Sequence, residues 1–173
     1  MARNVPTLEE TRDEHAVRRA RNYRRVGLVA VSFVVLAGLV GLLGIRTATA
    51  TASGDGYLLT VRHAQVTRAG LAVPMHVRVT HPGGFSGPIT IAISSQLLER
   101  FDFQNFYPNP SKETASANFL FYEFDPPPGE VFQLNVDART SPDQNGSADR
   151  YEVRLMQGSS PVATVDFRMW VAP

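Results

Sequence analysis

The chain of 173 residues carries 17 lysines and arginines against 16 acidic residues, and it contains no cysteine. Beyond residue 45 it is slightly acidic, with ten basic and twelve acidic side chains, so it lacks the basic folded surface that nucleic-acid binding requires. Without cysteine no disulfide framework is available, and the fold must be stabilised by its apolar core. We expect no nucleic-acid partner.

Residues 1–25 form a basic tail with seven arginines and four acidic residues. The acids come first and the arginines last, as the helix dipole favours, so the tail is predicted to contain a short helix. Its last arginines would contact anionic lipid headgroups. They are Arg18, Arg19, Arg21, Arg24 and Arg25.

Residues 26–45 contain no charged side chain. A helix of this length reaches about 30 Å, which matches the hydrocarbon core of a bilayer. Arginine is abundant before the apolar run and sparse after it, so the positive-inside rule predicts a cytoplasmic N-terminus and an extracytoplasmic C-terminal domain. We therefore predict a single-pass protein of the cell membrane, held by a signal anchor.

Two alternatives concern this anchor. Ala48-Thr49-Ala50 has the form of a signal-peptide cleavage site, but the apolar run exceeds the usual signal core of about 7–15 residues, which favours retention. Small residues in the span could pack against a partner helix or a second copy, although glycine is also ordinary in membrane helices. The candidate packing residues are Ala37, Gly38, Gly41 and Gly44.

Residues 46–56 are small and polar and are interpreted as a linker that keeps the following domain close to the membrane. Residues 57–173 alternate between apolar and polar positions, with turn residues between the runs, which is typical of an all-β domain. We predict a seven-stranded immunoglobulin-like sandwich. Its strands are residues 57–66, 71–81, 88–95, 118–125, 131–139, 150–156 and 162–171.

One segment carries a resemblance to a known fold. Residues 151–155 (YEVRL), a Gly/Pro turn and residues 162–167 (VATVDF) resemble the last two strands of immunoglobulin-like and fibronectin-III-like domains. The chain departs from antibody domains because it lacks their cysteine pair, and its single tryptophan is Trp170. In architecture only, it resembles bacterial single-pass membrane-anchored proteins with one such domain, for example small accessory proteins of mycobacterial lipid exporters. This resemblance implies an accessory role.

Half of the sixteen aromatic residues fall between residues 101 and 124. The predicted strand 118–125 is bulky on both faces, so either residues 96–116, including a short helix at 96–101, cover one face, or that face binds a partner. The candidate partner-binding residues are Phe103, Phe106, Tyr107, Phe119 and Phe121.

No nucleophile elbow, phosphate loop or zinc-protease motif is present, and His63, His76 and His81 lack the spacing of metal ligands. We expect no enzymatic activity, cofactor or metal. The leading hypothesis is an accessory subunit that binds another membrane protein or itself. The alternatives are a module for cell-wall glycan or lipid, with the aromatics as its platform, and a hydrolase whose residues assemble from distant positions.

Overall fold

The computed structural model describes residues 14–39, 46–143, 146 and 148–172. The chain divides between residues 44 and 45 into two compact units. Within the described residues the first unit is one helix, and the second contains ten strands and one short helix. A mostly β chain with one N-terminal apolar helix is therefore confirmed, while the expected count of seven strands is too low.

Helix α1 (Glu14–Leu39) joins part of the basic tail to the apolar run without a break. Its segment Arg18–Leu39 is long and apolar enough to cross a membrane, and none of it is buried within the protein. Side chains such as Phe33 and Leu36 are exposed, so they need an apolar environment from outside the chain. Residues 1–13 and 40–45, which include Gly41 and Gly44, lie outside the described residues.

The second unit follows the apolar and polar alternation of the sequence. Seven of its ten strands correspond to the predicted ones. In chain order the elements are β1 (Arg46–Gly54), β2 (Tyr57–Arg68), β3 (Met75–Thr80), β4 (Ile89–Ser94), α2 (Ser95–Arg100), β5 (Phe101–Tyr107), β6 (Lys112–Ala115), β7 (Phe119–Phe124), β8 (Val131–Thr140), β9 (Ala148–Gln157) and β10 (Ser160–Ala172).

The strands form one curled sheet in the order β5-β8-β3-β2-β10-β9-β4-β7-β6, with β1 paired to β2. Strand β2 connects two arms of this sheet. Its first half pairs antiparallel with β3, from Leu58 to Arg62, whereas its last residues pair parallel with the end of β10, Trp170 opposite Val66. We call β5-β8-β3-β2 the first arm and β10-β9-β4-β7-β6 the second arm.

The inward faces of the two arms share one apolar core. Phe124 of β7 lies 5.2 Å from Phe132 of β8, and Phe101 of β5 lies 5.9 Å from Tyr151 of β9, measured between ring centroids. The apolar positions of the alternating runs are buried, and burial of apolar area, at roughly 25 cal/mol per Å², is the main stabilising term. They include Met75, Val77, Val79, Ile89, Ile91, Ile93, Leu134, Val136, Val153, Leu155, Val165, Phe167 and Met169.

Residues 46–56 are not a linker. They form β1 and a tight turn, in which Asp55 and Gly56 both have positive φ, as a two-residue hairpin requires. Alanines of β1 pack against the core and threonines face outward, so the segment has the period of two of a strand. A Cβ at Gly54 would collide with the carbonyl oxygen of Val162, so the strand ends against β10.

Candidate functional site

Phe103 and Phe106 close one edge of the core. A bulge between Phe103 and Asn105 interrupts the pairing of β5 with β8, and the extra residue turns both rings to the same side. Their centroids are 6.0 Å apart, and Phe106 lies 4.6 Å from the ring of Tyr122 on β7. These two candidate residues are half-buried and fill the gap between the arms.

Phe119 and Phe121 lie on the opposite face of β7. Tyr122 and Phe124 are buried in the core, so the alternation of the strand directs Phe119 and Phe121 outward, where both are half-buried. The segment 96–116 does not cover them as a loop. It contains α2, as predicted, then β5 at the edge of the first arm and β6, which pairs beside β7.

The outer face of the second arm forms a trough along β4. The outward positions of β4 are small, Thr90, Ala92 and Ser94, whereas the strands on either side carry larger groups. Ala92 pairs with Phe121 of β7 on one side and with Arg154 of β9 on the other. Ala92 is 0% exposed although it faces away from the core, so its neighbours must cover it.

Arg154 provides much of this cover. Its guanidinium lies 4.1 Å from the ring centroid of Phe119, which places the side chain across β4, and it forms an ion pair with Glu152 on its own strand. A guanidinium stacked on an aromatic ring keeps its outer N–H groups available to a ligand. The trough therefore combines aromatic rings with a cation, a composition typical of protein–protein interfaces.

A cavity of about 440 Å³ lies at one end of the trough, beside Ser94, Phe119 and Asp166. Ser94 Oγ accepts a hydrogen bond from the backbone N–H of Glu152 at 3.3 Å, and Arg150 pairs with Asp166 at 3.2 Å. The hydroxyl of Ser94 is thus bound to the backbone, and the carboxylate of Asp166 is paired with Arg150. The three histidines lie away from this cavity. His63 is on β2, His76 is on β3, and His81 is in the turn after β3.

The histidines have structural partners. Buried His63 stacks on Phe167 with centroids 4.2 Å apart, and burial lowers its pKa from 6.5. His81 stacks on Tyr57 at 4.1 Å and donates from Nδ1 to the carbonyl of Gly84. Among the described residues no group of three metal-ligating side chains is present.

Tyr151, the fourth residue of β9, is buried and lies opposite Phe167 of β10. Its ring packs on Phe101 and Phe167, and burial, with a smaller contribution from Asp149, raises its pKa to about 12. Arg100 opposes this shift and forms an ion pair with Asp149 at 3.2 Å.

Tyr107 lies apart from the other aromatic candidates. It is 54% exposed and pairs with Asn135 of β8 at the edge of the first arm. The five predicted residues therefore occupy three places: the core edge, the trough and the first arm. The sequence analysis did not identify Arg154 or the small outward residues of β4. The latter alternate with the core isoleucines of the same strand, and this alternation is visible in the sequence.

The helix candidates are placed only in part. Ala37 is half-buried and Gly38 is exposed, whereas Gly41 and Gly44 lie outside the described residues. The five arginines predicted to contact headgroups are exposed along α1: Arg18, Arg19, Arg21, Arg24 and Arg25.

No protein-family model and no curated protein matches this chain.

Proposed function

We propose that the protein is a membrane-anchored, extracytoplasmic binding module, and that it serves as an accessory subunit of a membrane protein in the cell envelope. The observation that carries the proposal is the trough on the second arm, where Phe119 and Phe121 remain partly exposed beside Arg154. Aromatic residues and arginine are enriched at protein interfaces, and half-exposed rings gain most from a partner that completes their burial.

The strand order supports an immunoglobulin-like arrangement. In such domains one sheet has the order A-B-E-D and the other contains G-F-C, with further strands beside C in the variable type. In space the first arm follows the former order as β2-β3-β8-β5, and the second arm follows the latter as β10-β9-β4, extended by β7 and β6. In the chain, however, β5 comes before β6 and β7, whereas strand D of the variable type comes after the strands beside C. On this assignment β1 precedes the common set, and the fold by itself sets no function.

The helix supports anchoring in the membrane. Its exposed apolar segment follows a run of arginines, which favours a cytoplasmic N-terminus. Retention of the anchor is supported by β1, because cleavage after Ala50 would remove the first half of a strand that pairs along β2. The protein would then present its second unit on the far side of the membrane.

Cysteine labelling tests this topology on a clean background, because the chain has no cysteine. Ser159 is exposed in the turn between β9 and β10, and Asn4 lies in the tail. In intact cells, a membrane-impermeant maleimide should label Ser159→Cys, whereas Asn4→Cys should react only after lysis. Labelling of Asn4→Cys alone in intact cells would reverse the orientation, and release of a shortened chain from the membrane would refute the anchor.

Affinity purification from native membranes in mild detergent tests the partner. The variant Phe119→Ser/Phe121→Ser removes the rings of the trough. A matched control, Leu58→Ser/Val131→Ser, removes two exposed apolar side chains, 45% and 41% exposed, from the other arm. We expect a stoichiometric membrane protein to co-purify with the wild type and the control but not with the trough variant.

Three outcomes would count against this assignment. Loss of the partner from both double variants would indicate nonspecific hydrophobic association. Retention of the partner by the trough variant would show that the interface lies elsewhere. If only further copies of the chain are recovered, the function is self-association, through the trough or through the small residues of the helix. Circular dichroism of each variant confirms that it is folded.

The second candidate function is a module that binds cell-wall glycan or lipid. This function needs one platform of exposed aromatics, and the five candidate residues do not form one. Tyr107 is nevertheless exposed at the end of a polar row on the first arm, and this row favours a glycan ligand.

A further inference from the structure

A row of polar side chains crosses the outer face of the first arm and continues onto β1. The strand pairing places Tyr107, Asn135, His76, Arg62 and Thr49 opposite one another, one from each of β5, β8, β3, β2 and β1. With neighbouring strands about 4.8 Å apart, the row extends for roughly 19 Å. This length suits an extended chain rather than a compact molecule.

A second polar row lies beside the first. It contains Gln133, Arg78, Thr60 and Thr51, again in register across neighbouring strands. Between the two rows lies a groove of about 370 Å³, whose lining includes Arg62, His76 and Arg78. Amide, hydroxyl, guanidinium and imidazole groups thus face one another across it.

Arg62 and Arg78 have no acidic partner in the part of the chain that the structure describes. Arg100, Arg150 and Arg154, by contrast, each form an ion pair with an acidic side chain. Two guanidiniums on neighbouring strands repel each other. An uncompensated basic cluster on a slightly acidic domain is complementary to a negatively charged ligand.

The acidic residues of this face do not neutralise the cluster. In the strand register Asp137 lies opposite Asn105, and Asp102 lies opposite Arg139. These two positions are two and four residues further along β8 than Asn135, which lies opposite Tyr107. The imidazole of His76 is oriented by Asn135, to whose Oδ1 its Nδ1 donates a hydrogen bond of 2.7 Å. Nε2 of His76 is then the nitrogen available to a ligand.

We propose that this face, defined by Arg62, His76 and Arg78, binds an anionic polysaccharide. The guanidiniums would bind carboxylate or phosphate groups, because their N–H pairs match two oxygens at once. Asn135, Gln133 and the threonines would bind hydroxyl groups, and the exposed ring of Tyr107 would lie against a sugar. The two rows offer polar side chains and no surface for an acyl chain, which disfavours a lipid tail.

This inference deepens the glycan candidate and rests on the extracytoplasmic placement, where such polymers occur. It does not depend on the trough, which lies on the other arm. The full-length protein in neutral detergent is titrated with a hexasaccharide of galacturonic acid, with a neutral hexasaccharide and with inorganic phosphate. In a separate experiment, vesicles containing phosphatidylglycerol test whether a lipid headgroup supplies the same negative charge.

The test variant is Arg62→Gln/Arg78→Gln, and the matched control is Arg68→Gln/Arg168→Gln, which removes the same charge from exposed positions elsewhere. We expect the galacturonate to bind the wild type and the control alike. The test variant should bind at least about tenfold more weakly, because charge-assisted hydrogen bonds are lost. Binding should weaken with salt, and the neutral sugar should bind less than the anionic one.

Each contrary result overturns the proposal in a different way. Equal losses in both double variants would show that net charge alone is responsible. Binding to anionic vesicles but not to the hexasaccharide would replace the glycan by a lipid headgroup, and binding of phosphate alone would indicate a small-anion site. No binding of any probe would remove the site, while the partner test on the trough would be unaffected.

Discussion

The guanidinium of Arg154 lies 4.1 Å from the ring centroid of Phe119, with strand β4 between the strands that carry them. The contact joins β9 to β7 across the small outward residues of β4 and covers Ala92. It also shapes the trough, because displacement of Arg154 by a partner would deepen the concave surface. The same residue thereby links the stability of the second arm to its proposed binding role.

We predict that Arg154→Ala lowers the free energy of unfolding by about 1 kcal/mol, since a cation–π contact and a partly exposed ion pair with Glu152 are both lost. Urea unfolding of the full-length protein in detergent, followed by the fluorescence of Trp170, measures the change. Arg168→Ala, at an exposed position of β10, should change the value little.

A double-mutant cycle separates the ring contact from the ion pair. Phe119→Leu keeps an apolar side chain and removes the aromatic face, so its coupling energy with Arg154→Ala should be about 0.5–1 kcal/mol. A coupling energy indistinguishable from zero would show that Arg154 covers Ala92 without a stabilising contact to Phe119.

His63 should make the second unit less stable in mild acid. Burial lowers its pKa from 6.5, so the folded protein keeps the imidazole neutral while the unfolded chain takes up a proton as pH falls through 6.5. The free energy of unfolding should therefore fall from pH 7 to pH 5, by at most about 1.4 kcal/mol per pH unit. Unfolding of His63→Phe should show a weaker dependence, because the group that titrates differently in the two states is then absent.

Tyr151 and Tyr122 should make the second unit less stable in alkali. The pKa of each is raised to about 12, mainly by burial, so between pH 10 and 12 the unfolded chain loses protons that the folded protein keeps. Stability is thus retained below pH 10 and falls above it. Tyr151→Phe should reduce this loss by about half. Tyrosinate absorbance below pH 11 for all five tyrosines would contradict the prediction.

The strands that were predictable are those whose inward positions carry large apolar groups. In β8, Phe132, Leu134 and Val136 alternate with polar residues, and all three are buried. Strands β5 and β6 are not predicted by the sequence pattern. Pro108, Pro110 and the charged residues 112–115 (KETA) indicate a loop instead. Both strands lie at edges of the sheet, where charge and proline are common.

The binding faces were less predictable than the strands. The density of aromatics between residues 101 and 124 indicated a functional segment, but a bulge in β5 sends Phe103 and Phe106 to the core edge. Whether a ring faces inward depends on register, which a single extra residue reverses. The polar rows of the first arm depend on which strands are neighbours, and alternation within each strand does not contain that information.

The small alanine and threonine side chains of β1 favour a linker by composition, yet their strict alternation from Thr47 to Ala52 matches a strand with one buried face. We predict that Ala50→Glu destabilises the second unit by about 1–3 kcal/mol, because Ala50 packs against the core and a carboxylate there would lose its water. Thr51→Glu, one residue later and exposed, should cost less than about 0.5 kcal/mol. Equal, small effects in urea unfolding would mean that residues 46–54 do not pack as β1 and act as the tether that their composition suggested.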